Sequence, residues 1–109
     1  MAEKPVAWLG SALVDIRAFP KDARQDAGFA LDRIQQGLAP PDWKPMSEVG
    51  PGVNEIRVRS GGQFRVLYVA KFAEAVYVLH AFEKKTRKMA QRDIDIARRR
   101  YALIRRHGG

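Results

Sequence analysis

The second half of the chain contains three consecutive apolar segments separated by short turns, and this pattern constrains the fold most. Within Val53–Ser60, charged residues alternate with uncharged ones, which predicts a half-buried strand with a charged face. The charged positions are Glu55, Arg57 and Arg59, and the uncharged ones are Asn54, Ile56 and Val58. Gly61–Gly62 is a hairpin signal, and Phe64–Phe72 is apolar on both faces apart from two cations, as expected of a central strand. Val76–Phe82 is again almost wholly apolar. The segments predict an antiparallel meander.

The remaining elements are predicted from helical periodicity and from proline and glycine. Pro5–Leu9 is predicted to be a short first strand, followed by a short helix from Ser11 to Ala18. A second helix is predicted from Lys21 to Gln36, and residues 38–52, rich in proline and glycine, are predicted to be a loop. A basic helix from Gln91 to Arg106 comes last. The expected fold class is α+β, with two N-terminal helices packed on a twisted antiparallel β-sheet.

Length and composition limit the kinds of protein that the chain can be. Its 109 residues suit a single domain over 1–109, and the 46% of hydrophobic residues can build a packed core. The absence of cysteine excludes disulfides, thiolate metal sites and a cysteine nucleophile. The sequence shows neither a signal peptide nor an apolar stretch near the roughly 20 residues of a membrane span. A cytoplasmic protein without membrane association is therefore expected.

The charge is strongly asymmetric along the chain. Residues 1–55 hold six Lys/Arg against eight Asp/Glu, whereas residues 56–109 hold fourteen against four, within a net charge of +8. Such a bias favours a polyanionic partner, such as nucleic acid or an acidic protein segment. A solubilising surface is the alternative reading of the same charges.

Cations concentrate where the last predicted strand ends. Lys84, Lys85, Arg87 and Lys88 fall within five residues at this exit, where they are well placed to hold phosphates. A solvated loop would have the same composition, so this alternative stays open.

Arg65 interrupts an apolar central strand, where a charge needs a partner or must face a cleft. Arg57 and Arg59 lie across the predicted hairpin and extend the same face into a concave phosphate site, since the arginine fork suits phosphate. The alternative is that Arg65 forms an ion pair with Glu55 or Glu83.

His80 also interrupts an apolar strand. Simple alternation places it on the same face as Val76, Val78 and Phe82. It is either a core histidine with one hydrogen bond or a base that moves a proton.

Four segments of the chain resemble the phage-derived HigB-like branch of the RelE/ParE toxin superfamily. They are VNEIR at 53–57, GQFRVLY at 62–68, VLHAFEKKTRK at 78–88 and RDIDIA at 92–97. The resemblance covers most of residues 50–100. This chain departs from the branch at Met89-Ala90, where Thr-Pro is usual, so the start of the last helix is expected to be shifted or frayed.

The resemblance implies a toxin held inactive by a cognate antitoxin, often a helix-turn-helix protein, in a hetero-oligomer. RelE/HigB members cut mRNA on the ribosome without metal or other cofactor, through attack of the ribose 2′-hydroxyl on the adjacent phosphate. Arg65 matches the strand arginine that stabilises this phosphate, Lys84 and Lys85 fall near the basic residue after the last strand, and His80 is a further catalytic candidate. The expected RNA contacts are Arg57, Arg59, Arg87, Lys88, Arg98 and Arg99.

Two other functions fit the same sequence. A ParE-like toxin would inhibit gyrase and leave RNA intact. A non-catalytic module would bind nucleic acid or an antitoxin without cutting anything.

Overall fold

The computed structural model describes residues 3–108, with side chains up to Ile104. Along this part of the chain the elements are β1 (Val6–Trp8), α1 (Ala12–Arg17), α2 (Lys21–Gln35), β2 (Trp43–Pro45), β3 (Val53–Val58), β4 (Phe64–Val69), β5 (Val76–Glu83) and α3 (Gln91–Gly108). The α+β class is confirmed, and each helix begins within a residue of its predicted start. None of the described helices is long and apolar enough to cross a bilayer.

The five strands form one mixed sheet in the order β1-β5-β4-β3-β2. The meander of β3, β4 and β5 is antiparallel, and Gly61 adopts the positive φ of +75° that its hairpin requires. β1 pairs with β5 in parallel, so the expectation of a wholly antiparallel sheet is wrong. Turn signals predict the relative direction of strands that a hairpin joins. Most of the chain lies between β1 and β5, so no turn signal predicts how these two strands pair.

β2 lies inside the segment that was predicted to be a loop. It pairs antiparallel with β3, where Pro45 lies opposite Asn54. A proline is tolerated here because β2 is an edge strand, where a missing N–H need not break the ladder. The prolines therefore mark an edge strand, although in the sequence they predict a loop.

The helices cover opposite faces of the sheet. Ala23, Ala27 and Ile34 of α2 pack with α1 and with one face of β3, β4 and β5 in a single hydrophobic cluster. Ile94 and Tyr101 of α3 pack with the other face in a second cluster, which we call the α3 face. The small residues of α2 permit its close approach to the sheet.

A bulge in β5 changes the face that its second half presents. Leu67 pairs with His80 and Tyr68 pairs with Val78, which leaves Leu79 as an extra residue. The bulge shifts the alternation, so that His80 lies on the α3 face and Val78 on the opposite one. The expectation that these two residues share a face is wrong for this reason.

Candidate functional site

The sheet register brings charged residues of β2, β3 and β4 together on the α3 face, beside Phe82 of β5. Arg57 lies opposite Arg65, and Arg65 in turn lies opposite Phe82. Two residues before Arg57 on β3, and therefore on the same face, Glu55 lies opposite Lys44 of β2. Neighbouring strands are about 4.8 Å apart, so these side chains can contact one another directly.

Glu55 is the centre of this group. Its side chain is 3% exposed, and its carboxylate oxygens lie 3.3 Å from Arg57 Nε, 3.7 Å from Lys44 Nζ and 3.9 Å from Arg65 Nε. A buried carboxylate is costly unless it is paired, and here three cations surround it. The same carboxylate separates two arginines that would otherwise repel each other across the β3–β4 pair.

Arg65 is itself buried, with a side chain that is 7% exposed. Its Nη1 donates to the Phe64 carbonyl oxygen at 2.9 Å, and both Nη1 and Nη2 approach Gln63 Oε1 at 3.4 Å. Its Nε finds no hydrogen-bond acceptor within the described part of the chain. Burial lowers the pKa of the Arg65 guanidinium, Glu55 raises it and Arg57 lowers it. The guanidinium remains protonated because its ordinary pKa is far above neutrality.

A cavity of about 210 Å³ opens beside Glu55. Half of its lining residues are basic, and the lining joins the end of β5 to β2 through the residues Lys44, Met46, Glu48, Glu55, Lys84, Arg87, Lys88 and Met89. We call this cavity, together with the adjoining Arg57 and Arg65, the cation cleft. Of the candidates from the sequence, Lys84, Arg87 and Lys88 line the cavity, and Arg57 and Arg65 adjoin it through their ion pairs with Glu55.

Two other candidates lie at the margin of this arrangement. The Lys85 side chain is 77% exposed, and its nearest carboxylate oxygen belongs to Glu83 at 4.0 Å. Arg59 lies 3.7 Å from Asp42 and lines a separate cavity beside α2. The adjacent residues Lys84 and Lys85 are thus placed differently, although the sequence treats them alike.

The arginines of α3 differ in their contacts. Arg98 Nε donates to the Glu48 carbonyl oxygen at 2.7 Å, and Arg100 Nη1 donates to a backbone carbonyl of β5 at 2.9 Å. Arg99 is exposed. The side chains of residues 105–106 lie outside the described residues. Arg98 and Arg100 therefore hold α3 against the sheet and its loops.

His80 lies outside the cation cleft. Its Nε2 is 2.8 Å from Asp93 Oδ1 on α3, and its ring stacks on Phe82 with centroids 4.9 Å apart. Its buried Nδ1 has no partner among the described residues. These contacts match the alternative in which His80 is a core histidine with one hydrogen bond. Within the same described range, no three His, Asp or Glu side chains form a group that could hold a metal ion.

Lys44 and Glu55 belong to the cleft but were absent from the predicted site. Lys44 lies in β2, within the predicted loop, so no sequence signal placed it beside β3. The sequence offered Glu55 only as an alternative ion-pair partner of Arg65, and the 3.9 Å distance between Arg65 Nε and the Glu55 carboxylate confirms that pairing. The burial of Glu55 at 2% exposure depends on the chain segments that cover the α3 face.

The fold and the cation cleft define a small, basic α+β protein whose cations gather around one buried carboxylate. The family described as "Phage derived protein Gp49-like (DUF891)" matches residues 14–102, a range that includes the whole cleft. The chain therefore belongs to this family. A search of curated proteins found no match.

Proposed function

We propose that this chain is the toxin of a type II toxin-antitoxin system and a metal-independent mRNA endoribonuclease of the RelE/HigB type. In this proposal residues 1–109 form one toxin domain, which acts in the cytoplasm on ribosome-bound mRNA. A cognate antitoxin, of helix-turn-helix type, holds it inactive in a hetero-oligomer. Membership in a phage-derived family, the four resembling segments and the cation cleft support the proposal.

The buried Nε–H of Arg65 is the observation that carries the proposal. A buried donor without an acceptor costs about 1–3 kcal/mol, and native structures rarely keep one without a reason. Here the donor lies beside Glu55 and a basic cavity. Because this N–H is buried, an incoming phosphate oxygen would satisfy it only after the guanidinium turns toward the cavity, while Arg57 and Lys84 would bind the remaining oxygens.

Charge stabilisation is the main catalytic contribution that this arrangement can make. The 2′-hydroxyl attacks the adjacent phosphorus and loses its proton, and the leaving 5′-oxygen gains one, which yields a cyclic phosphate and a 5′-hydroxyl. The cleft cations stabilise the negative charge that builds on the phosphoryl oxygens. We assign the proton exchange to Lys84, which lines the cavity, because His80 is paired with Asp93 outside it. Glu55 orients Arg57 and Arg65 for this task.

Induced expression with mapping of mRNA 5′ ends tests the proposal. Wild-type protein should produce new ends that carry a 5′-hydroxyl. Lys84→Ala should remove most of this cleavage, Lys85→Ala should have a smaller effect, and Lys21→Ala on α2 is the charge-matched control. Circular dichroism of each purified variant establishes that the fold is retained.

The other outcomes of this experiment are informative. Growth arrest without new 5′ ends would refute the ribonuclease, and gyrase cleavage complexes that persist in Lys84→Ala would support the ParE-like alternative. Harmless expression of the chain alone would support the non-catalytic module.

A further inference from the structure

A groove of about 420 Å³ runs along the free edge of β5 between α1 and α3. It exists because β1 pairs only with residues 76–78 of β5, and the described strands leave residues 79–83 uncovered on that side. We call it the β5 groove. No residue lines both this groove and the 210 Å³ cavity of the cation cleft.

The β5 groove contains an aromatic surface formed by Phe82 and His80. The half-buried Phe82 ring lies nearly parallel to the His80 ring, with an interplanar angle of 23°. Asp93 fixes the His80 ring through the 2.8 Å hydrogen bond. The fixed His80 ring supports one face of the Phe82 ring. Phe82 therefore loses little conformational freedom when another aromatic group stacks on it.

The polar groups of the groove suit an uncharged ligand with hydrogen-bonding edges. Arg92 and Arg100 contribute two positive charges, while Asp15 and Glu83 contribute carboxylates that can accept hydrogen bonds from amino groups. Arg100 is already engaged, because Nη2 lies 3.1 Å from Ser11 Oγ. A phosphate would gain little here, whereas a nucleobase offers a flat face and an amino edge.

The position of Phe82 relates the groove to the cation cleft. Phe82 lies directly opposite Arg65 in the sheet, and two residues later the chain reaches Lys84 in the cleft. One nucleotide can therefore place its base in the groove while an adjacent phosphate reaches the cations. Single-stranded RNA is commonly bound in this way, with bases on aromatic rings and the backbone along basic residues.

We infer that the β5 groove is a nucleobase-binding site, in which an unpaired RNA base stacks on Phe82. The inference rests on the proposed function, since it assigns a second part of the same substrate. It makes Phe82 a determinant of which nucleotide the cleft accepts.

A binding cycle tests the inference with 2′-O-methyl RNA oligonucleotides, which cannot be cleaved by attack of the 2′-hydroxyl. Affinities are measured for an intact strand and for strands in which single bases are removed in turn. For the wild-type chain, one abasic position should weaken binding about tenfold or more. In Phe82→Leu that position should have no further effect, and Phe82→Tyr should restore it.

Phe72→Leu is the matched control, since Phe72 packs against the same cluster but has its edge-on contact with Tyr77 instead. It should retain the wild-type response to every abasic position. Equal responses of wild type and Phe82→Leu would overturn the inference, as would a wild-type chain that does not bind the intact strand at low salt. Neither result bears on the cleavage of ribosome-bound mRNA, so failure here is distinct from failure of the proposed function.

Discussion

Glu55→Gln should destabilise the protein strongly, because it leaves the cleft cations without their carboxylate. Two unit charges about 4 Å apart interact by about 4 kcal/mol at the effective dielectric of a protein surface. Of the three cations, Arg65 has a 7% exposed side chain, whereas Arg57 is 26% and Lys44 50% exposed. Solvent screens the latter two, so most of the effect should come from Arg65. Loss of one partner from a buried pair costs about 3–5 kcal/mol, and we expect a value near the lower limit.

Urea unfolding followed by tryptophan fluorescence measures this loss. Glu48→Gln is the matched control, because Glu48 lines the same cleft but is exposed, and its stability should change by less than about 0.5 kcal/mol. The double variant Glu55→Gln with Arg65→Met should recover about 2 kcal/mol relative to the sum of the single losses. Strictly additive losses, or a Glu55→Gln variant as stable as wild type, would refute the ion cluster as a stabilising feature.

Three further predictions concern stability. Gly50→Ala should cost about 1–3 kcal/mol in urea unfolding, since the added Cβ would lie 2.6 Å from the Tyr101 ring; unchanged stability would contradict this packing. Arg98→Ala should cost about 0.5–1 kcal/mol through loss of its hydrogen bond to a loop carbonyl, whereas Arg99→Ala should cost nothing measurable, and equal effects would count against this contact. Burial raises the pKa of Tyr68 above its ordinary 10.0, so this residue contributes stability below that pH, which is lost as the pH rises through the folded-state pKa. Tyr68→Phe should therefore show a shallower loss of unfolding free energy above about pH 10 than wild type does, and an identical pH dependence would contradict the assignment.

The sequence predicted the elements of this fold better than their arrangement. Periodicity identified β3, β4, β5, α2 and α3, because each has one local repeat of apolar residues. It did not reveal that α3 covers the face opposite α2, nor that β1 runs parallel to β5. These are tertiary choices, and no local pattern in the chain encodes them.

The candidate site was predicted in part for the same reason. Arg65 and Lys84 were found because a charge in or just after an apolar strand is conspicuous. Glu55 was predicted only as a possible partner of Arg65, because its burial between strands is a tertiary feature, and Lys44 was missed because prolines concealed its strand. For His80, the bulge at Leu79 moved the side chain to the other face, a change that alternation cannot anticipate.

Purified ribosomes carrying a defined mRNA provide the most direct test that the cation cleft cleaves RNA. The wild-type chain should cut this mRNA in the presence of a metal chelator and leave a cyclic phosphate with a 5′-hydroxyl. A single 2′-deoxy substitution at the cut position should abolish cleavage there, and Lys84→Ala should greatly reduce cleavage of the unmodified mRNA. Cleavage that survives the 2′-deoxy substitution, or that is as fast in Lys84→Ala as in wild type, would contradict the account.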